Sequence, residues 1–297
     1  MDTRDTLRAI FLMVLAMAGF AVADMFIKQV SVRIPIGQIL IFIGSGGTLI
    51  FGALTLFNRR ALITRDFLHP AVLIRNGAEI FGAFFFVSAL AAIPMSSLSA
   101  IIQATPLMVT LGAIVFLKEQ VGWRRWAAIL AGLAGVLIII RPGLSAFDPS
   151  SLLAVAAAAG MAARDLATRP APKTAFSTQL ATWGFAMLFI TGWSVRLISG
   201  EMQTLTGGEA MRLGGAVVAS SIAYFAVTVA MRIGDISAVT PFRYTRLIFG
   251  LIIGFFIFAE RPDIWTLLGA GLVVGSGLYT LVRERTRAAL STGASAR

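Results

Sequence analysis

The 297-residue chain has no cysteine and a single histidine, His69, so disulfides, thiol catalysis and thiolate or imidazole metal sites are excluded or nearly so. Charge is scarce as well: Asp, Glu, Lys and Arg make up 13% of residues, against about 25% in ordinary soluble domains. With 58% hydrophobic residues and a mean hydropathy of +0.86, that scarcity excludes a soluble globular enzyme, a disordered tail and a disulfide scaffold. What the chain does have is long apolar runs. One bilayer crossing takes about 20 such residues, and ten crossings would leave only short loops.

Runs bounded by charges, prolines and polar turns place spans near 6–28, 35–57, 71–92, 95–117 and 123–140, then 150–168, 175–198, 211–231, 236–258 and 263–282. The first run continues past Ala16-Met17-Ala18, so it is expected to be a span and not a cleaved leader. An even number of spans puts both termini on one side. That side carries fifteen Lys and Arg and the other six, which predicts cytoplasmic termini. The net charge of +11 is read as loops facing anionic lipid, without a nucleic-acid partner.

Shifted by 141 residues, the chain matches itself without a gap. Gly19 falls on Gly160, Asp24 on Asp165, Lys28 on Arg169, Gln38 on Gln179, Ala89 on Ala230, Ser96 on Ser237 and Glu119 on Glu260. Each half holds five spans, an odd number, so the second half must sit upside down relative to the first. The expected fold is therefore an all-α membrane protein of ten transmembrane helices in two inverted five-helix repeats, 1–141 and 150–285, followed by a flexible tail, 286–297. Secondary transporters are built this way, with the substrate near the midplane between the halves.

The stretch Ala89–Glu119, running Ala-Leu-Ala-Ala-Ile-Pro-Met-Ser-Ser-Leu-Ser-Ala-Ile-Ile-Gln-Ala-Thr-Pro to Phe-Leu-Lys-Glu, resembles the drug/metabolite transporter superfamily of EamA type. So does Ala230–Glu260, ending Phe-Ala-Glu and followed by the Gly269/Gly275 span. The resemblance covers essentially the whole chain and implies an alternating-access carrier of small organic metabolites. Two segments, Ala163–Arg169 and Pro241-Phe242-Arg243-Tyr244-Thr245-Arg246, are most similar to bacterial riboflavin importers. Pro-Phe-Arg-Tyr segments also resemble carriers of amino acids and S-adenosylmethionine, so an amino-acid-like cargo stands as the alternative.

Charged side chains inside a membrane face the bundle interior by default. Here they are Asp24, Arg75, Glu79, Arg164, Asp165, Arg243 and Arg246. At 1.5 Å per residue, Glu79 lies about 12 Å into its span, Arg243 about 10 Å and Arg246 about 15 Å; the others lie near span ends. Arg246 is the leading candidate for a substrate contact, with Arg243 on the same helix face and Tyr244 beside it, because a guanidinium offers planar paired donors to a carboxylate or an imide-like edge. These arginines could instead hold helix-end carbonyls or carboxylates of the protein. Arg75 and Glu79, four apart, are expected to pair, either as internal glue or with Glu79 as proton carrier and substrate ligand. Asp24–Lys28 and Asp165–Arg169 repeat that spacing at opposite faces and read as gates or clamps. Gln38, Gln179 and Trp183 are further candidate contacts, each equally explained by helix packing. Aromatic walls from Phe81, Phe84, Phe85, Phe86, Tyr224 and Phe225 would suit a flat ring. Pro106, mid-span, can bend its helix at a moving part.

An intramembrane protease is disfavoured. The lone histidine sits in a loop beside Pro70, and the two repeat-related aspartates lie at opposite faces. A non-transporting sensor or scaffold is the competing reading of another class. Gly44-Ser45-Gly46-Gly47 is followed by no Gly-Lys-Ser/Thr, so any active transport runs on an ion or substrate gradient. No cofactor is expected. The partners are a small-molecule substrate and the lipid of a bacterial inner membrane, and a homodimer through the Gly269–Gly271 region stays open beside packing within one chain.

Overall fold

The computed structural model describes residues 3–118, 122–144, 147–172, 174–233 and 236–294, all helix, turn and loop. The first half comprises α1 (Thr3–Ser31), α2 (Ile36–Phe57), α3 (Pro70–Ala92), α4 (Met95–Ile102), α5 (Thr105–Phe116) and α6 (Trp123–Ile140). The second comprises α7 (Ser151–Thr168), α8 (Ser177–Ser199), α9 (Gly207–Ile233), α10 (Ile236–Val239), a 3₁₀ turn (Thr240–Tyr244), α11 (Thr245–Phe258) and α12 (Ile264–Ala294). Among the described residues, nine of the ten expected spans are long and apolar enough to cross a bilayer, and the apolar part of α12 at the tenth, Ile264–Thr280, is a shorter apolar helix. The chain is thus a multi-pass membrane protein. The last helix runs on to Ala294, so 286–294 is helical where a loose tail was expected, and 295–297 lie outside the described residues.

Two spans are broken, and they are repeat mates. The fourth consists of α4 and α5, and the ninth of α10, the 3₁₀ turn and α11. The first break falls at Gln103–Ala104, just ahead of Pro106, which sits in the first turn of α5. A proline is tolerated there because that turn has no helical partner for its N–H. The Ile102 carbonyl accepts a hydrogen bond from Thr105 Oγ1 at 2.6 Å. The 141-residue shift carries Gln103 onto Tyr244, at the end of the 3₁₀ turn.

The two halves interlock. Helix α1 packs on α9, α3 on α7, α2 on α8, and α6 on α12. The repeat register maps α1·α9 onto α7·α3 and the other two pairs onto themselves, as a two-fold axis in the membrane plane requires. Small residues set these crossings. A Cβ on Gly160 would lie 2.6 Å from the Gly82 Cα, and one on Gly19 would lie 3.0 Å from the Ala223 Cβ. Gly82 and Ala223 are themselves 141 apart, so one close approach occurs twice. In α6·α12, a Cβ on Gly269 would come within 2.6 Å of the Gly135 carbonyl. In hydrocarbon, where helices gain little from hydrophobic burial, such backbone approach is a principal source of association.

A side chain at Gly160 must therefore push α3 and α7 apart. Gly160→Val is expected to cost roughly 1–3 kcal/mol by overpacking and to lower the midpoint of thermal unfolding in detergent. Gly271→Ala, where nothing lies within 4 Å, should leave it unchanged; fluorescence-detected size-exclusion after heating reads both.

Candidate functional site

The break in the ninth span positions two arginines between the repeats. Arg243 lies in the 3₁₀ turn and Arg246 in the first turn of α11. Arg246 Nη2 donates to Asp24 Oδ2 of α1 at 2.7 Å, with its guanidinium centred 5.3 Å from the Phe20 ring and 5.4 Å from that of Phe86. Arg243 faces Asp165 of α7 at 4.0 Å. Its side chain is 42% exposed, the most open of the four intramembrane guanidiniums.

Asp165 joins a network that crosses from α7 to α3. Arg164 donates to Asp165 from Nε at 3.0 Å and from Nη2 at 2.9 Å, and its Nη1 lies 3.4 Å from Glu79. Glu79 in turn lies 3.8 Å from Arg75. Arg75, 5% exposed, donates to Asn76 Oδ1 at 3.2 Å, while its own Nε and the Asn76 Nδ2 are buried without a partner. Helix α8 borders the network at Gly184, where a Cβ would make ordinary contact with Glu79 Oε2 at 3.5 Å. Beside this network Phe51 and Phe185 stack at 5.5 Å, and Tyr224 sets its edge against both. Four guanidiniums and three carboxylates are thereby gathered between the repeats, with one positive charge in excess. Among the described residues no three metal-ligating side chains converge.

Several expected contacts take other partners. Asp24 goes to Arg246 and not to Lys28, whose Nζ donates to the Leu90 and Ile93 carbonyls at 3.1 and 2.6 Å. The reason is electrostatic, since those carbonyls end α3 and carry the negative pole of its dipole. Asp165 likewise takes its neighbour Arg164 rather than Arg169 as its hydrogen-bonded cation. The Arg75–Glu79 pair is present as spaced. Gln38 and Gln179 hold loops at opposite ends of the bundle. The Gln38 amide exchanges two hydrogen bonds with the Gln203 backbone, at 2.8 and 2.9 Å. That of Gln179 donates to the Ala61 carbonyl at 2.7 Å and accepts from the Phe176 N–H at 2.9 Å. Trp183 Nε1 donates to the Leu62 carbonyl at 2.7 Å, with its ring edge-on to Phe67. Tyr244 is buried against Gly277, its hydroxyl without a partner.

Three features escaped the sequence reading. Asn76 has no periodic signal, and Phe20 is one of many apolar residues. Glu260 was noted only as the repeat mate of Glu119, which lies outside the described residues. Its carboxylate accepts the backbone N–H groups of Met95 and Ser96 at 2.7 and 2.9 Å, capping the N-terminus of α4. Together Lys28 and Glu260 clamp the turn between α3 and α4 at the face where α1 ends.

If Gln38 and Gln179 act as loop anchors, replacing either with Ala leaves two backbone groups without their partners. Each replacement is expected to cost about 1–3 kcal/mol, seen as a lowered unfolding midpoint, while substrate affinity measured on the surviving folded protein changes less than about twofold.

Comparison with known proteins bears on what this arrangement does. The EamA-like transporter family matches residues 7–141 and 149–282, one copy in each half. A riboflavin transporter of Vibrio cholerae is 30% identical over 222 residues, covering 74% of this chain and 73% of its own. An S-adenosylmethionine uptake transporter of Rickettsia felis is 26% identical over 223 residues, covering 75% and 74%. The pseudopaline exporter CntI of Pseudomonas aeruginosa is 24% identical and covers 89% and 93%. A crystal structure 18% identical in sequence shares the fold over 96% of this chain and 99% of its own, with a TM-score of 0.62. With both repeats matched and the charged groups gathered between them, the chain belongs to the EamA-like transporter family and is a membrane transporter.

Proposed function

We propose that the protein takes up riboflavin across the bacterial inner membrane by alternating access, with both termini in the cytoplasm. The observation that carries this reading is Arg243, a half-exposed guanidinium with a stretched ion pair at the break between the repeats. Its donors suit the carbonyl edge of an isoalloxazine. Phe51, Phe185 and Tyr224 offer ring faces for the flat system, and Glu79 offers an acceptor for the ribityl hydroxyls. The riboflavin transporters among the relatives support the same cargo. Arg246, held by Asp24 between two phenylalanine rings, is proposed to orient the site, with Tyr244 beneath it. Glu79, between two arginines, is the proposed proton carrier.

A second reading rests on the one uncompensated positive charge. It favours the carboxylate of an amino-acid-like cargo; other relatives are S-adenosylmethionine uptake transporters, whose cargo presents such a carboxylate beside its cationic sulfonium.

In a riboflavin auxotroph lacking its own importer, the wild-type chain should restore growth at limiting riboflavin. Arg243→Ala at equal membrane abundance should not, with uptake reduced at least about tenfold, the loss of one charge-assisted contact of about 1.4 kcal/mol or more. Absence of rescue by an abundant wild-type chain removes riboflavin, and labelled S-adenosylmethionine in proteoliposomes then tests the second cargo. Proton coupling predicts that Glu79→Gln abolishes uptake driven by a pH gradient while leaving substrate exchange; uptake indifferent to both pH and uncouplers would remove that role.

A further inference from the structure

An axis that relates two inverted repeats also exchanges the two faces of the membrane. A contact made by one repeat mate in one state therefore has its counterpart, made by the other mate, in the state open to the opposite face. Asp24 and Asp165 are such mates, yet the cations they meet are not. Residues 102 and 105, the mates of Arg243 and Arg246, are Ile102 and Thr105. One arginine pair on one broken span faces both aspartates, with Arg164 as a second cation on Asp165.

The structure holds that pair in an unequal state. Arg246 is closed on Asp24 at 2.7 Å, while Arg243 stands off Asp165 at 4.0 Å. At the same time the face where α1 ends is sealed. Lys28 holds the carbonyls at the end of α3, and Glu260 holds the first N–H groups of α4, leaving Ser96 only 2% exposed. Releasing a buried guanidinium outright is costly in hydrocarbon. The cost is avoided if one pair tightens as the other loosens.

We propose that Asp24 and Asp165 are alternating stations for the Arg243–Arg246 segment. Arg246 rests on Asp24 while the α1-end face is sealed, and Arg243 closes on Asp165 when that face opens. Arg164 and Glu79 keep Asp165 in place between visits. Both aspartates act as positioning residues, setting the balance between the two states without touching the cargo.

The absence of native cysteine makes the test direct. Ser96→Cys places a single thiol in the sealed end, and its rate of reaction with a maleimide in detergent, without substrate, reads how often that end opens. This readout does not depend on which cargo the protein carries. Asp24→Asn should raise the rate at least about threefold, and Asp165→Asn should lower it by a similar factor, as shifts of a two-state balance. The double Asp24→Asn/Asp165→Asn variant should return close to the parent rate. Shifts in the same direction, or none, would overturn the proposal. So would a double variant that labels as fast as Asp24→Asn alone, because fast labelling would then report damage to the fold.

Discussion

A charge taken into hydrocarbon has to bring its counter-charge along, and seven ionisable side chains of this bundle are bound by that rule. Coulombic attraction in a medium of low dielectric offsets the loss of hydration only at close range and good geometry. Two of the pairings cross from one repeat to the other: Asp24 with Arg246, Glu79 with Arg164. The helices must therefore come close, and glycine and alanine at α1·α9 and α3·α7 permit it. The broken ninth span serves the same end, because it releases the backbone locally and lets two arginines spaced three apart reach opposite repeats.

The repeat-related side chains and the unmatched ones divide the labour. Gln38 and Gln179 each hold a loop, and Gly19 and Gly160 each admit a neighbouring helix. These are scaffold duties, needed equally at both faces. Arg75, Glu79, Arg164, Arg243 and Arg246 have Ala216, Ser220, Ala23, Ile102 and Thr105 as their mates. The charged network is the part of the molecule in which the two halves no longer agree, and there the uncompensated positive charge sits.

How much of this could be read from the chain depends on sequence distance. Spans, the inverted architecture and the Arg75–Glu79 pair follow from periodicity, a constant offset and helical spacing, all local or cumulative signals. The same spacing misleads at Asp24 and Asp165. A residue four positions away is only one of the cations in reach, and the choice of Arg246, 222 positions on, is made by helix packing. Gln179 and Trp183 look like intramembrane polar groups awaiting a ligand, yet the Ala61–Leu62 backbone beside them takes up their hydrogen bonds. Pro106 marks its break correctly to within a turn, and the bend lies just upstream because proline is accommodated at a helix start.

The asymmetry of the arginines has an evolutionary consequence. Immediately after a duplication both halves carry the same residues, and any change at the centre is constrained by its role at two faces. Once Arg243 and Arg246 have no equivalents at Ile102 and Thr105, that corner of the molecule is free to vary alone. New cargo specificity can then arise from a handful of substitutions near the start of α11, inherited without re-engineering the frame that rocks around them.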